Sequence, residues 1–194
     1  MYDFLARLVF GPAILKSQVA FLDEIKEGNR VLILGGGTGR LLEYISAQNV
    51  IVDYVEPSTK MLTRAQKRNC NAEVNFHQSR FEDFQNDDNY DVIICPFFLD
   101  LFSEVHLKEI LAKIKDCLKS EGKLIVSDFS SRVKGRYPIL LLKLMHVFFR
   151  MTSNMESRQL LDHDWFLLEL GFQLEKEHSW FGGLIYGRKY ACLN

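Results

Sequence analysis

A strand pattern that runs straight into four glycines in five positions constrains this chain more than any other feature. In VLILGGGTGRLLEYI the apolar run 31–34 ends at Gly35, and Gly35-Gly36-Gly37-Thr38-Gly39 opens a helical pattern. Without Cβ atoms the backbone can turn tightly there, and a ligand can approach N–H groups at a helix start. Two nucleotide-binding turns have this shape. The dinucleotide form, G-x-G-x-x-G/A, needs a small last residue so that the helix packs closely on the strand. Counted from Gly35, that place is Arg40, which does not fit. The spacing G-x-G-x-G over Gly35, Gly37 and Gly39 does. A turn with a purely structural task rarely needs so many glycines.

The pattern around this turn is a regular alternation. Runs 31–34, 50–55, 74–77, 90–95 and 123–129 are apolar and rich in β-branched residues, the mark of buried strands. Helical patterns lie between them at 40–48, 58–68 and 104–118. In the last, Val105, Ile110, Leu111, Ile114 and Leu118 are expected on one face. Alternating strands and helices imply right-handed crossovers and a mostly parallel sheet. Residues before Glu27 suggest one or two helices closed by Gly28. After Phe129 come an apolar helix at 138–151 and a second near 159–170. Two strand runs, FQLEKEHSWF and LIYGRKYACL, then flank Gly182-Gly183, and a pair of glycines favours a reversal into an antiparallel hairpin. No repeat or linker divides the 194 residues. One domain is expected, with a helical segment at 1–29, a first half at 30–129 and a second half at 130–194.

Glu56 ends the second strand, seventeen residues after Gly39. In a parallel sheet that length brings its carboxylate beside the glycine turn on the same carboxyl edge. There it could accept both hydroxyls of a ribose, or serve as a helix cap, a role Ser58 could fill instead.

Taken in order, VLILGGGTGRLLEYI, VEPSTKML, FHQSRFEDF, YDVIICPFFLDLF and LKSEGKLIVSDF resemble the motifs of class I S-adenosylmethionine-dependent methyltransferases. The resemblance is tight over about 30–129. It implies an α/β, doubly wound, Rossmann-like sheet of seven strands with an antiparallel C-terminal hairpin, and S-adenosylmethionine at its carboxyl edge. It also implies a cofactor site built from Gly35, Gly36, Gly37, Thr38, Gly39, Glu56, Pro57, Ser58, Met61, Arg80, Phe81, Glu82, Cys95, Pro96 and Phe97. The opening YDFLARLVFGPAI is similar, over a shorter stretch, to quinone-biosynthesis C-methyltransferases. One departure stands out. Many relatives have an Asp accepting the adenine amino group where this chain has Arg80, and arginine cannot accept that bond. Stacking, the backbone around Phe81 and Glu82 would then hold the adenine.

The stretch CPFFLDLF follows the fourth strand, where this fold brings donor and acceptor together. Amine-methylating enzymes carry a polar residue at its start; here it is Cys95, and Phe97, Phe98, Leu101 and Phe102 make an apolar wall. An apolar or aromatic, quinone-like acceptor suits such a wall. Methyl transfer to a phenol or enol also needs a base, or a cation to favour its anion; Asp128 and His146 lead the candidates, with Arg150 and His163 behind. Lys143, His146 and Arg150 share one helix face, which is equally a solvated stripe.

Composition excludes other classes. A net charge of −1 gives no field for nucleic acid. Four scattered cysteines, Cys70, Cys95, Cys117 and Cys192, give no metal spacing. The apolar run 137–151 is broken by Lys143, His146 and Arg150 and is too short to span a bilayer. With no cleavage pattern in MYDFLARLVFG, the expectation is a cytoplasmic enzyme. Helix 138–151 is apolar nearly all round. It therefore serves as a lid over the acceptor, or meets a second copy of the chain or a membrane surface. Two rival readings are a nicotinamide-dependent reductase, disfavoured by Arg40, and a methyltransferase-like subunit that binds cofactor but serves a partner.

Overall fold

The computed structural model describes residues 12–85, 89–130 and 163–192. Seven strands form one sheet: β1 (Arg30–Leu34), β2 (Ile51–Val55), β3 (Glu73–His77), β4 (Tyr90–Pro96), β5 (Leu118–Phe129), β6 (Phe172–Trp180) and β7 (Ile185–Cys192). Their spatial order is β3-β2-β1-β4-β5-β7-β6. Strands β1 to β5 pair in parallel, and β7 is antiparallel to both β5 and β6. Because β1 lies centrally and the chain then crosses to β4, the order reverses between these two strands. In open α/β sheets ligands bind outside the carboxyl ends at such a point.

Continuous apolar strands bury both faces. In β1, Leu32 and Leu34 join a cluster with Leu107, Ile110, Leu111 and Ile114 of helix α3 (Glu104–Cys117) and Phe166 and Leu167 of α4 (His163–Glu169). Val31 and Ile33 point the other way. They meet Phe21, Leu22, Leu41, Leu42 and the α2 (Thr59–Ala65) residues Leu62 and Ala65. Helix α1 (Ala13–Val19) lies against β5, β6 and β7.

Three local expectations are corrected. The helix at 40–48 is only a 3₁₀ turn, Arg40–Tyr44. Its three-residue period stacks Leu42 under Ile45, both buried, and the chain then goes extended at Ile45. The 58–68 helix ends at Ala65, because the polar residues that follow have no apolar side to bury. Val105 is 68 % exposed, and Leu107 takes its place in the core. At 100° per residue Val105 lies about half a turn from the Leu107, Ile110, Leu111 and Ile114 stripe. The hairpin around Gly182-Gly183 forms as expected, with both glycines in the left-handed region. The expected lid, 138–151, lies outside the described residues. Among the described residues no helix is long and apolar enough to cross a membrane.

Candidate active site

The glycine turn is fixed by neighbours as well as by its backbone. Gly39 is left-handed, and a Cβ there would lie 2.7 Å from Ala65 Cβ. Cβ atoms at Gly35 and Gly36 would collide with Phe98 and with the Tyr54 ring. Gly37 is different: only Met61 Sδ, at 3.9 Å, comes near its Cβ position. The turn is therefore closed on three sides and open at Gly37. Tyr54, fully buried, donates its hydroxyl to the Gly37 carbonyl at 3.0 Å. The Thr38 carbonyl accepts from Arg68 Nε at 2.9 Å. Together these contacts hold the turn from below.

Glu56 stands beside this opening. One carboxylate oxygen accepts from the Gly37 N–H at 3.0 Å and the other from the Ser58 N–H at 2.9 Å. Ser58 caps α2 through the Met61 N–H, so the cap and the carboxylate are separate groups. Burial pushes the Glu56 carboxyl above its ordinary range, while the two N–H groups pull it back. Each oxygen keeps a further lone pair, so two hydroxyls can still be received. Pro57 is exposed, and Ser58 and Met61 are half-buried beside it.

Beyond β3, Arg80 and Glu82 are exposed, whereas Phe81 is buried in the core. The Phe81 ring meets Phe98 edge-on, and Lys113 Nζ lies 4.8 Å from its centroid. The same ammonium donates to the carbonyls of Phe81, Glu82 and Phe84. Phe81 is thus a core side chain whose ring is covered by Phe98 and Lys113, and only Arg80 and Glu82 beside it reach solvent.

At the end of β4, Cys95 and Pro96 are buried in the sheet, paired with Val126 and Ser127 of β5. Phe97 is left-handed (φ 54), an uncommon state for a large side chain, and its N–H donates to the Ser127 carbonyl at 2.7 Å. The chain is thereby re-aimed so that Phe98 lies on the glycine turn. A 3₁₀ turn, Leu99–Leu101, then carries Asp100 back to the end of β5. There Asp128 is wholly buried, and its carboxylate accepts from the N–H groups of Asp100 (3.2 Å) and Phe129 (2.9 Å). Burial and the neighbouring Asp100 carboxyl push Asp128 well up, and burial pushes Asp100 up to about 6. Tyr186 faces Asp128 in the β5–β7 register, and its hydroxyl lies 3.0 Å from His163 Nδ1, itself 3.8 Å from Asp128.

The structure thus brings the glycine turn, Glu56, Ser58 and Met61 together, and gathers Asp128 with His163. His146 and Arg150 lie outside the described residues. Sequence reasoning missed Tyr54, Asp100, Lys113 and Tyr186, and read Phe98 as acceptor wall where it also packs on the glycine turn. Only Asp100 had a local signal, as the sole acidic residue in the apolar stretch after β4. Among the described residues no group of side chains could hold a metal ion.

Residues 31–122 match a family model described as a methyltransferase domain. A carboxy-S-adenosyl-L-methionine synthase of Wolinella succinogenes is 32 % identical over 120 residues, covering 59 % of this chain. The chain spans half the length of that relative. Among solved structures, a mitomycin 7-O-methyltransferase superposes with a TM-score of 0.71 at 15 % identity, covering 99 % of this chain and 57 % of that one. A magnesium protoporphyrin IX methyltransferase from Synechocystis, solved with bound SAH, gives 0.67 at 18 % identity, with 92 % and 81 % covered.

Proposed function

We propose that this chain is a class I S-adenosylmethionine-dependent methyltransferase and transfers the methyl group of S-adenosylmethionine to a small apolar acceptor. The observation that carries this reading is the opening at Gly37 flanked by the Glu56 carboxylate. Gly35, Gly36, Thr38 and Gly39 would form the turn under the methionine part of the cofactor. Glu56 would receive the ribose, with Pro57, Ser58 and Met61 beside it. The backbone at Phe81, with Arg80 and Glu82, would flank the adenine. When bound, the cofactor supplies an activated methyl group on a sulfonium. The chain's own part is to orient the reactants and exclude water.

Phe97 is half-exposed where β4 ends, beside Phe129, and supports an apolar or aromatic acceptor such as a quinone-like phenol or enol. Asp128, buried at the end of β5, belongs to the titratable groups on this side that would manage the acceptor's proton. A second reading follows from the Wolinella relative: the product is a carboxylated derivative of the cofactor rather than a methylated acceptor. Mass spectrometry of the donor after incubation separates the two.

Calorimetry with S-adenosylhomocysteine tests the site. Glu56→Ala should lose about 1.5–3 kcal/mol of binding, the worth of hydrogen bonds to a charged group. A thermal melt must first establish that the variant is folded. Unchanged affinity in the folded variant removes Glu56 from the ribose, and tight NAD binding by the wild type refutes the assignment.

A further inference from the structure

The geometry points to Asp100 and Asp128 as a carboxyl pair holding one proton between them, with Asp100 as the group that takes the acceptor's proton and Asp128 as its positioning residue. The inference rests on the methyl-transfer reading and adds to it a residue and a substrate class, a weakly acidic hydroxyl. Asp100 is 9 % exposed and Asp128 not at all, and the Asp100 backbone N–H donates to Asp128 Oδ2 at 3.2 Å, which sets the two carboxyl groups side by side in the interior. Two carboxylates in such contact cannot both stay ionised, so one proton must lie between them. Their surroundings are unequal. Asp128 is held by two backbone N–H groups, whereas Asp100 Oδ1 is buried with no hydrogen-bond partner among the described residues. A buried oxygen left without a donor costs free energy unless a ligand provides one.

Position gives this oxygen its role. Asp100 comes two residues after Phe98, whose Cδ2 lies 2.8 Å from the Cβ position of Gly35 in the glycine turn. It follows β4 at its carboxyl end, next to the point where the strand order reverses. Among the described residues, the titratable groups facing Asp128 are Cys95 on β4, His163 on α4 and Tyr186 on β7. Behind them, Arg188 lies 3.8 Å over the Tyr186 ring and pairs with Asp164 at 3.0 Å, so its charge is already answered.

In the transfer, the acceptor oxygen forms its bond to the methyl carbon as the sulfonium–carbon bond breaks, and that electron pair stays on sulfur. The hydroxyl proton passes to Asp100. The pair then holds two protons and no charge, and returns one to solvent before the next turnover.

The test uses the full chain, Asp100→Asn, S-adenosylhomocysteine and two acceptors. One is 2-naphthol, whose hydroxyl is neutral in mildly alkaline buffer; the other is 4-nitrophenol, largely ionised there. Asp100→Asn should bind S-adenosylhomocysteine as the wild type does. It should lose about 10²–10⁴-fold in 2-naphthol methylation, the usual worth of a positioned base, and little with 4-nitrophenol. Independently of turnover, infrared spectra of the wild type at neutral pH should show a protonated-carboxyl stretch that is absent in the Asp100→Asn/Asp128→Asn double variant. If the wild type fails to bind S-adenosylhomocysteine, the methyl-transfer reading falls. If it binds, three results overturn the pair alone: no protonated-carboxyl band, equal losses with both acceptors, or no methylation of either.

Discussion

Gly39→Ala measures how firmly the glycine turn is seated. Gly39 has φ 73, and alanine in that left-handed region costs about 1–2 kcal/mol. The new methyl would also meet Ala65 Cβ at 2.7 Å, Ala65 Cα at 2.8 Å and Leu42 Cδ1 at 3.2 Å. Two of these atoms belong to a short helix residue that has no rotamer to change, so the turn and α2 must separate. Overpacking of that kind costs about 1–3 kcal/mol, giving a total of about 2–5 kcal/mol. Gly182→Ala is the internal control. Its φ is 66 and nothing lies within 4 Å of the added carbon, so only the backbone cost of about 1–2 kcal/mol applies. Urea unfolding followed by circular dichroism should therefore place the Gly39→Ala midpoint below that of Gly182→Ala at unchanged slope. Equal midpoints would show that the contact with Ala65 carries no energy, and the account of the turn as a wedge against α2 would be wrong.

Two further outcomes are expected. Folded Asp100 titrates at about 6 and Asp128 well above its ordinary value, so from about pH 4 to about 6 the native state holds more protons than the unfolded chain. That component of stability falls as pH rises through the window, and Asp128→Asn should gain on the wild type over it. Urea midpoints across the window check this, and a difference growing in the wild type's favour refutes it. On α3, Leu107→Ala should cost about 2–5 kcal/mol, and Val105→Ala should stay within about 0.5 kcal/mol; paired denaturation curves decide, and equal costs would contradict the observed helix face.

The strands were legible because buried parallel strands are written as continuous apolar runs, and the hairpin because Gly182-Gly183 interrupts two such runs. Short 3₁₀ turns were not. Arg40–Tyr44 and Leu99–Leu101 are too brief to show a period, and three-residue stacking imitates the start of a longer helix. The glycine turn and Glu56 could be found because their chemistry is local and their separation equals one crossover. Phe81 was misleading for a physical reason: an aromatic in a loop after β3 serves a ligand or the core equally well, and only Phe98 and Lys113 decide which of its surfaces is free. The carboxyl pair was hidden because Asp100 and Asp128 lie 28 residues apart and meet only where the 3₁₀ turn after β4 returns to the end of β5.

The pairing of β5 with β7 also bears on how the chain is made. The sheet's last strand in chain order, β7, lies between β5 and β6 rather than at the rim. Until it has been translated, β5 presents its backbone groups along one side without a partner, and an exposed strand edge of that kind invites association with other chains. The first five strands can assemble the glycine turn and Glu56 during synthesis, but Asp128 meets Tyr186 only when the final hairpin inserts. Nascent chains would thus hold the glycine turn, Glu56 and both carboxyl groups before Tyr186 closes over Asp128.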